Sequence, residues 1–107
     1  MEYLIDMVFT IPEGMSPAKV DEMREAEGVR TAELAKAGHL VRLWRPPLGS
    51  GEVRAIGLFR AADEAELRDI LESLPMYSWM KVSITPLTPH PHDPDYRAQQ
   101  AAEHAQA

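Results

Sequence analysis

The chain contains no cysteine. That removes disulfides, thiolate nucleophiles and thiolate metal ligands together. It also lacks any excess of positive charge: 17 acidic residues stand against 11 lysines and arginines, for a net charge of −6. The acidic residues are scattered rather than in blocks, so neither a nucleic-acid surface nor an anionic-membrane surface is expected. No apolar run is long enough to span a bilayer, and the first residues read as a strand rather than a secretion signal. A cytoplasmic location is the default expectation. There is no phosphate-cradling glycine loop, no dinucleotide fingerprint and no serine nucleophile elbow. Any chemistry is therefore expected to run without a cofactor. No internal repeat is visible.

What is present is ordinary for a soluble domain. Of the 107 residues, 45% are hydrophobic and 26% charged, enough for one domain with one modest core. Residues 2–11 alternate so that Tyr3, Ile5, Met7 and Phe9 form one fully apolar face, with Leu4, Asp6 and Val8 on the other; this is a strand. Ser16 is placed to cap a helix with Pro17 at its first position, and Gly38 to end it. Residues 40–46 and 52–60 read as two strands joined by a turn at 48–51, with Pro46 and Pro47 closing the first. Gly57, inside the second of these, predicts a bulge or a close approach by another group. Asp63 and Glu66 have capping-box spacing, and Leu67, Ile70, Leu71 and Leu74 make a core stripe that Pro75 ends. Residues 80–87 are a fourth strand.

The order strand, helix, strand, strand, helix, strand is the ferredoxin-like, split-βαβ plan. It places a four-stranded antiparallel sheet beneath two helices on one face, an α+β fold. The other sheet face carries several apolar residues, so a second copy is expected to cover it, as in a dimeric α+β barrel. We divide the chain into a folded domain over residues 1–88 and a tail over 89–107. The tail is proline-rich and then polar, and reads as a disordered segment, a short helix or an arm onto a neighbouring subunit.

One residue breaks the pattern of the first helix. Val20, Met23, Thr31 and Leu34 fall on one stripe at helical spacing, and Glu27 lies near its middle. A carboxylate on a packed stripe is costly without a partner or a chemical role. Burial would raise its pKa toward the range of a general base or acid. The structural alternative is a marginal position, or an ion pair with Arg24 or Arg45.

Other groups carry weaker signals. Arg42 and Trp44 share a face of the second strand, with Arg45 on the other beside Val41 and Leu43. An arginine beside a tryptophan can clamp a carboxylate and flank a flat ring; the plain alternative is a surface arginine and a core tryptophan. Tyr77 and Trp79 form an aromatic wall or pack in the core. His90, His92 and Asp93 match no regular metal site, and His90 alone reads better as a hydrogen-bond donor to a pocket. No metal is expected.

A series of landmarks then acts together. The first strand ends in Ile11-Pro12, and Ser16-Pro17-Ala18 opens the helix that carries Glu27. Gly38, Leu43-Trp44-Arg45, the Phe59 strand and Ser73-Leu74-Pro75 follow. An aromatic pair precedes Met80, Thr85-Pro86-Leu87 ends the last strand, and His90-Pro91 comes after it. In this order and spacing, to about residue 92, the chain resembles the muconolactone Δ-isomerase family. The resemblance implies a ferredoxin-like fold, a homodecamer built from dimers, and a cofactor-free isomerase of aromatic-compound catabolism in the β-ketoadipate pathway. The reaction it implies moves a ring double bond, converting muconolactone to 3-oxoadipate enol-lactone or acting on a related lactone. It also implies Glu27 as the proton-transferring carboxylate. Arg45 and His90 are candidates to hold the enolate oxygen and the substrate carboxylate, with Trp44, Arg42 and Tyr77 around the substrate.

The sequence departs from the family pattern at Gly28, Arg42, Arg54-Ala55-Ile56 and Asp6, positions expected near a pocket. Those departures point to a divergent member. They also keep a non-catalytic oligomer that binds small molecules in view, and a lactone dehalogenase or cofactor-free oxygenase on the same fold.

Overall fold

The computed structural model describes residues 1–47 and 53–98. The expected turn at 48–51 and most of the polar tail lie outside the described residues. The chain runs β1 (Glu2–Phe9), α1 (Pro17–Lys36), β2 (Leu40–Trp44), β3 (Val53–Arg60), α2 (Glu64–Glu72) and β4 (Met80–Leu87), with a short 3₁₀ turn, Tyr77–Trp79, leading into β4. The strands form one antiparallel sheet in the order β2-β3-β1-β4. This is the split-βαβ plan. Among the described residues, no helix is long and apolar enough to cross a membrane.

Local chemistry sets the helix ends. Ser16 is extended, and its hydroxyl accepts the Lys19 N–H at 3.2 Å, satisfying one of the donors a helix start leaves open. At the other end Gly38 takes φ +85°, a conformation that costs other residues a Cβ clash. It lets the N–H groups of Gly38 and His39 bond back to the Ala35 and Leu34 carbonyls, a Schellman closure. Asp63 caps α2 by accepting the Glu66 N–H at 2.8 Å. The Glu66 carboxylate accepts in return from Ala62, one residue before the cap.

Period-two alternation divides the sheet. Tyr3, Ile5 and Met7 are buried and share one core with Phe59, Leu34 and the α2 residues Leu67, Ile70 and Leu71. Both helices thus lie on this face. The opposite, open face carries Leu4, Asp6 and Val8 of β1, with Arg54, Ile56 and Leu58 of β3 in register beside them.

Gly57 is explained by close approach. Pairing of β1 with β3 is continuous through it, and a Cβ there would stand 2.6 Å from the Phe59 ring. The sheet's bulge lies instead in β2, between Leu40 and Arg42. The extra residue corrects the expected facing of Val41: it interrupts the alternation, so Leu40, not Val41, shares a face with Leu43. Arg42 and Trp44 pair with Leu58 and Ile56 and lie on the open face.

Candidate active site

Helix α1 covers its part of the core with a thin stripe. Leu34 is buried, whereas Val20, Met23, Glu27, Arg30 and Thr31 are half-buried. Glu27 forms no ion pair with Arg24 or Arg45 among the described residues. Its partner is a backbone group: the Met76 N–H donates to Glu27 Oε1 at 3.3 Å. Burial pushes the Glu27 carboxyl above its ordinary pKa, and the Met76 N–H offsets only part of that rise.

The turn after α2 explains why that N–H is available. The amides of Ser73, Leu74, Tyr77 and Trp79 bond back within the segment. Pro75 has no N–H to give. The Met76 amide belongs to a buried residue and needs an acceptor, which Glu27 supplies across the helix pair. A second bond crosses the same gap: Arg30 Nε donates to Ser73 Oγ at 3.0 Å, and that hydroxyl donates to the Ile70 carbonyl. Arg30 is one turn beyond Glu27 on the same helix face.

The other candidate residues fall in three places. Arg45 follows β2 and is exposed, toward the end of the sheet where Phe9 and Met80 also lie. Arg42 stacks over the Trp44 ring at 5.3 Å on the open face, and Trp44 is 41% exposed, so this tryptophan is not a core residue. Tyr77 lines a groove of about 270 Å³ between α2 and β4 with Met80, Val82 and Ile84, while Trp79 is buried.

His90 lies elsewhere. The eight residues of β4 carry the chain roughly 25 Å from the Met76 turn before His90 is reached. There it lines a concavity with Glu2, Asp93 and Tyr96. Its Nδ1 accepts the His92 N–H at 2.9 Å, leaving Nε2 for another partner. Within one chain, then, the fold brings Tyr77 and Arg45 toward the Glu27 end of the sheet and separates His90 from it. Among the described residues, no group of three or more histidines and carboxylates is arranged to hold a metal ion.

The family departures also take definite places. Gly28 is exposed on α1. Asp6 and Arg54 face each other on the open face in a two-pronged ion pair, with Arg54 Nε 2.9 Å from Asp6 Oδ1. The Arg54 guanidinium holds the Asp6 carboxyl below its ordinary pKa. These two residues, with Ile56 and Arg42, lie across the sheet from Glu27 rather than beside it.

A split-βαβ scaffold with a half-buried carboxylate between its first helix and the turn after its second is the class that fold and site define. Residues 1–93 match the family described as muconolactone delta-isomerase, and this chain belongs to that family. It is 34% identical over 91 residues to muconolactone Delta-isomerase 1 of Acinetobacter lwoffii, a match covering 85% of this chain and 92% of the relative. It is 31% identical to muconolactone Delta-isomerase of Cupriavidus pinatubonensis, over 85% of this chain and 96% of the other. A crystal structure of muconolactone isomerase superposes with a TM-score of 0.76 at 26% identity, covering 86% of this chain and 93% of that one. A 5-chloro-2-hydroxyhydroquinone dehydrochlorinase from Burkholderia phenoliruptrix shares the fold at 14% identity, with a TM-score of 0.62 over 87% of this chain and 99% of the other.

Proposed function

We propose that this protein is a cofactor-free isomerase that moves a carbon–carbon double bond within a lactone ring, with Glu27 as the proton carrier. The observation that carries the reading is the Glu27 carboxylate, half-buried and raised in pKa, in a chain of this family. The base removes the ring proton that is conjugated, through the alkene, with the lactone carbonyl. A dienolate results, and the same carboxyl returns the proton to the carbon next to the carbonyl. A carboxylate in water is too weak a base for this step, and desolvation brings it closer to the proton affinity required. Met76 occupies Oε1, so Oε2 is the oxygen left to exchange the proton.

The substrate's own carboxylate needs a cation. Arg45 is the candidate within the chain, with Tyr77 near the same end of the sheet. Arg42 and Trp44 on the open face, and His90 beyond β4, join the site only if a second copy brings them to it. A homo-oligomer covering the open face would supply that geometry, and a homodecamer built from dimers is the form we propose. Muconolactone is the first substrate to test. The departures from the family pattern at Asp6 and Arg54, on the face that a second copy would bring to the site, favour a related lactone as the alternative.

Glu27→Gln is the informative variant because its amide oxygen still accepts from Met76. We expect wild-type protein to isomerise muconolactone in an ultraviolet assay. The variant should lose at least about 10²-fold in kcat while keeping its fold and assembly. Retained turnover in Glu27→Gln would remove the proton-carrier role. An inactive but intact wild-type protein that instead released halide from a chlorinated lactone, or consumed oxygen, would place it in a different reaction class. An intact protein that only bound lactones would be a non-catalytic binder.

A further inference from the structure

Two contacts cross from α1 to the turn that follows α2. One is the Met76 N–H on Glu27; the other is the Arg30 guanidinium on the Ser73 hydroxyl. They are three residues apart on each side. Ser73 is also the C-cap of α2, and its hydroxyl donates to the Ile70 carbonyl while it accepts from Arg30. The Arg30 side chain therefore grips the point at which α2 ends and the Leu74–Pro75–Met76 turn begins. Pro75 stiffens the short connection between them.

We propose that Arg30 and Ser73 form a latch that holds the Met76 N–H against Glu27 Oε1, and so fixes the carboxylate with Oε2 presented to the substrate. Both are positioning residues. The inference deepens the isomerase reading and rests on it for its kinetic consequences, but its geometry does not depend on the substrate. A carboxylate held by one backbone donor cannot swing to exchange its two oxygens without breaking that bond. Proton removal and return from one oxygen then require no rearrangement between the steps, which is the benefit of a pre-organised group. The surroundings of Glu27 leave this task to few groups. On its own helix, Arg24 and Arg30 lie about one turn to either side, as does Thr31, whose hydroxyl donates to the Gly28 carbonyl, and the Arg30 guanidinium also lies 3.9 Å from Glu33. From the α2 side, the polar groups that the structure places across the gap are the Ser73 hydroxyl and the Met76 N–H.

The test uses Arg30→Gln and Ser73→Ala, with Ser73→Thr as the conservative control that keeps the hydroxyl. Two readouts are taken on the intact protein. The first is kcat and KM with muconolactone. The second needs no substrate: an infrared titration of the protonated carboxyl band, taken as the difference from Glu27→Gln, which isolates Glu27. With the latch broken, kcat should fall about 10- to 100-fold with KM within about twofold. The Glu27 midpoint should rise, because the carboxylate loses its N–H donor while its apolar surroundings remain. Ser73→Thr should restore both. Unchanged kcat in the two latch variants, or an unmoved Glu27 midpoint, would overturn the proposal. If wild-type protein proves inactive on muconolactone, the isomerase reading fails while the infrared titration still decides the latch: a raised midpoint in both variants supports it, and an unmoved one removes it.

Discussion

Glu27 illustrates how one side chain serves structure and chemistry at once. Its carboxylate satisfies the N–H of the buried Met76, and its desolvation raises its pKa. The linkage to stability has a definite sign. Below the ordinary carboxyl value of 4.5, folded and unfolded chains both hold this proton. As pH rises, the unfolded chain releases it first, so the folded state binds more protons and stability falls until the folded carboxyl has also ionised. Asp6 acts in the opposite direction: its folded pKa is below 3.8, and the stability it adds is lost as pH falls through that lower value. We therefore expect the urea midpoint of wild-type protein, relative to Glu27→Gln, to drop as pH is raised from below 4.5 toward neutrality. A pH-independent difference between the two proteins would show that Glu27 is not desolvated in solution.

At the scale of elements, β3 and its neighbours depend on a missing side chain. A Cβ on Gly57 would meet the Phe59 ring at 2.6 Å and the Met7 side chain at 3.4 Å. Phe59 is 1% exposed, so the ring can give way only by displacing its packed neighbours. Gly57→Ala should cost about 1–3 kcal/mol, measured by chemical denaturation; an equal or higher midpoint would mean that the core yields there. The sequence made this glycine conspicuous because it interrupts a strand pattern. The element ends were legible for similar reasons, since Ser16, Gly38, Asp63 and Pro75 each carry a local chemical signal. The β2 bulge was not legible: Val41 in a run of strand-forming residues has no letter that marks it as the extra one. The Tyr77–Trp79 turn was hidden because the bonds that make it are between backbone groups. The acceptor that Glu27 provides was hidden for the same reason. Glu27 itself stood out in the helical stripe, but its partner is an amide, and Pro75 beside it was the only hint that an amide would be left over. Arg30 gave no sign, and Ser73 stood out only as a landmark of the family resemblance, because the contact between them exists only once α1 and the turn after α2 are brought together.

The whole molecule sets which candidates can meet. The sequence places His90 shortly after the last strand, but only the direction and length of β4 show that it lies at the far end of the sheet from Glu27. The open face poses the matching question of what lies against it. Leu58 sits there between Arg42 on β2 and Leu4 on β1. We expect Leu58→Asp to lower the mass measured by light scattering, because a partner packed on this face could not desolvate the added charge. An unchanged mass would move the contact between copies to another surface. If His90 is supplied by a neighbour, the same variant should also depress turnover while leaving the Glu27 carboxyl titration in place.

The bulge at Val41 has a consequence for how this protein behaves when crowded. β2 is an outer strand of the sheet, and its opposite rim is β4, which carries Pro86 and Lys81. A bulged strand that stops at a proline offers no regular ladder for a stranger to join, and a proline and a lysine spoil the other rim. Runaway strand-by-strand growth into fibrils is blocked on both sides, so concentrated solutions should stay clear of amyloid even though several apolar side chains face outward.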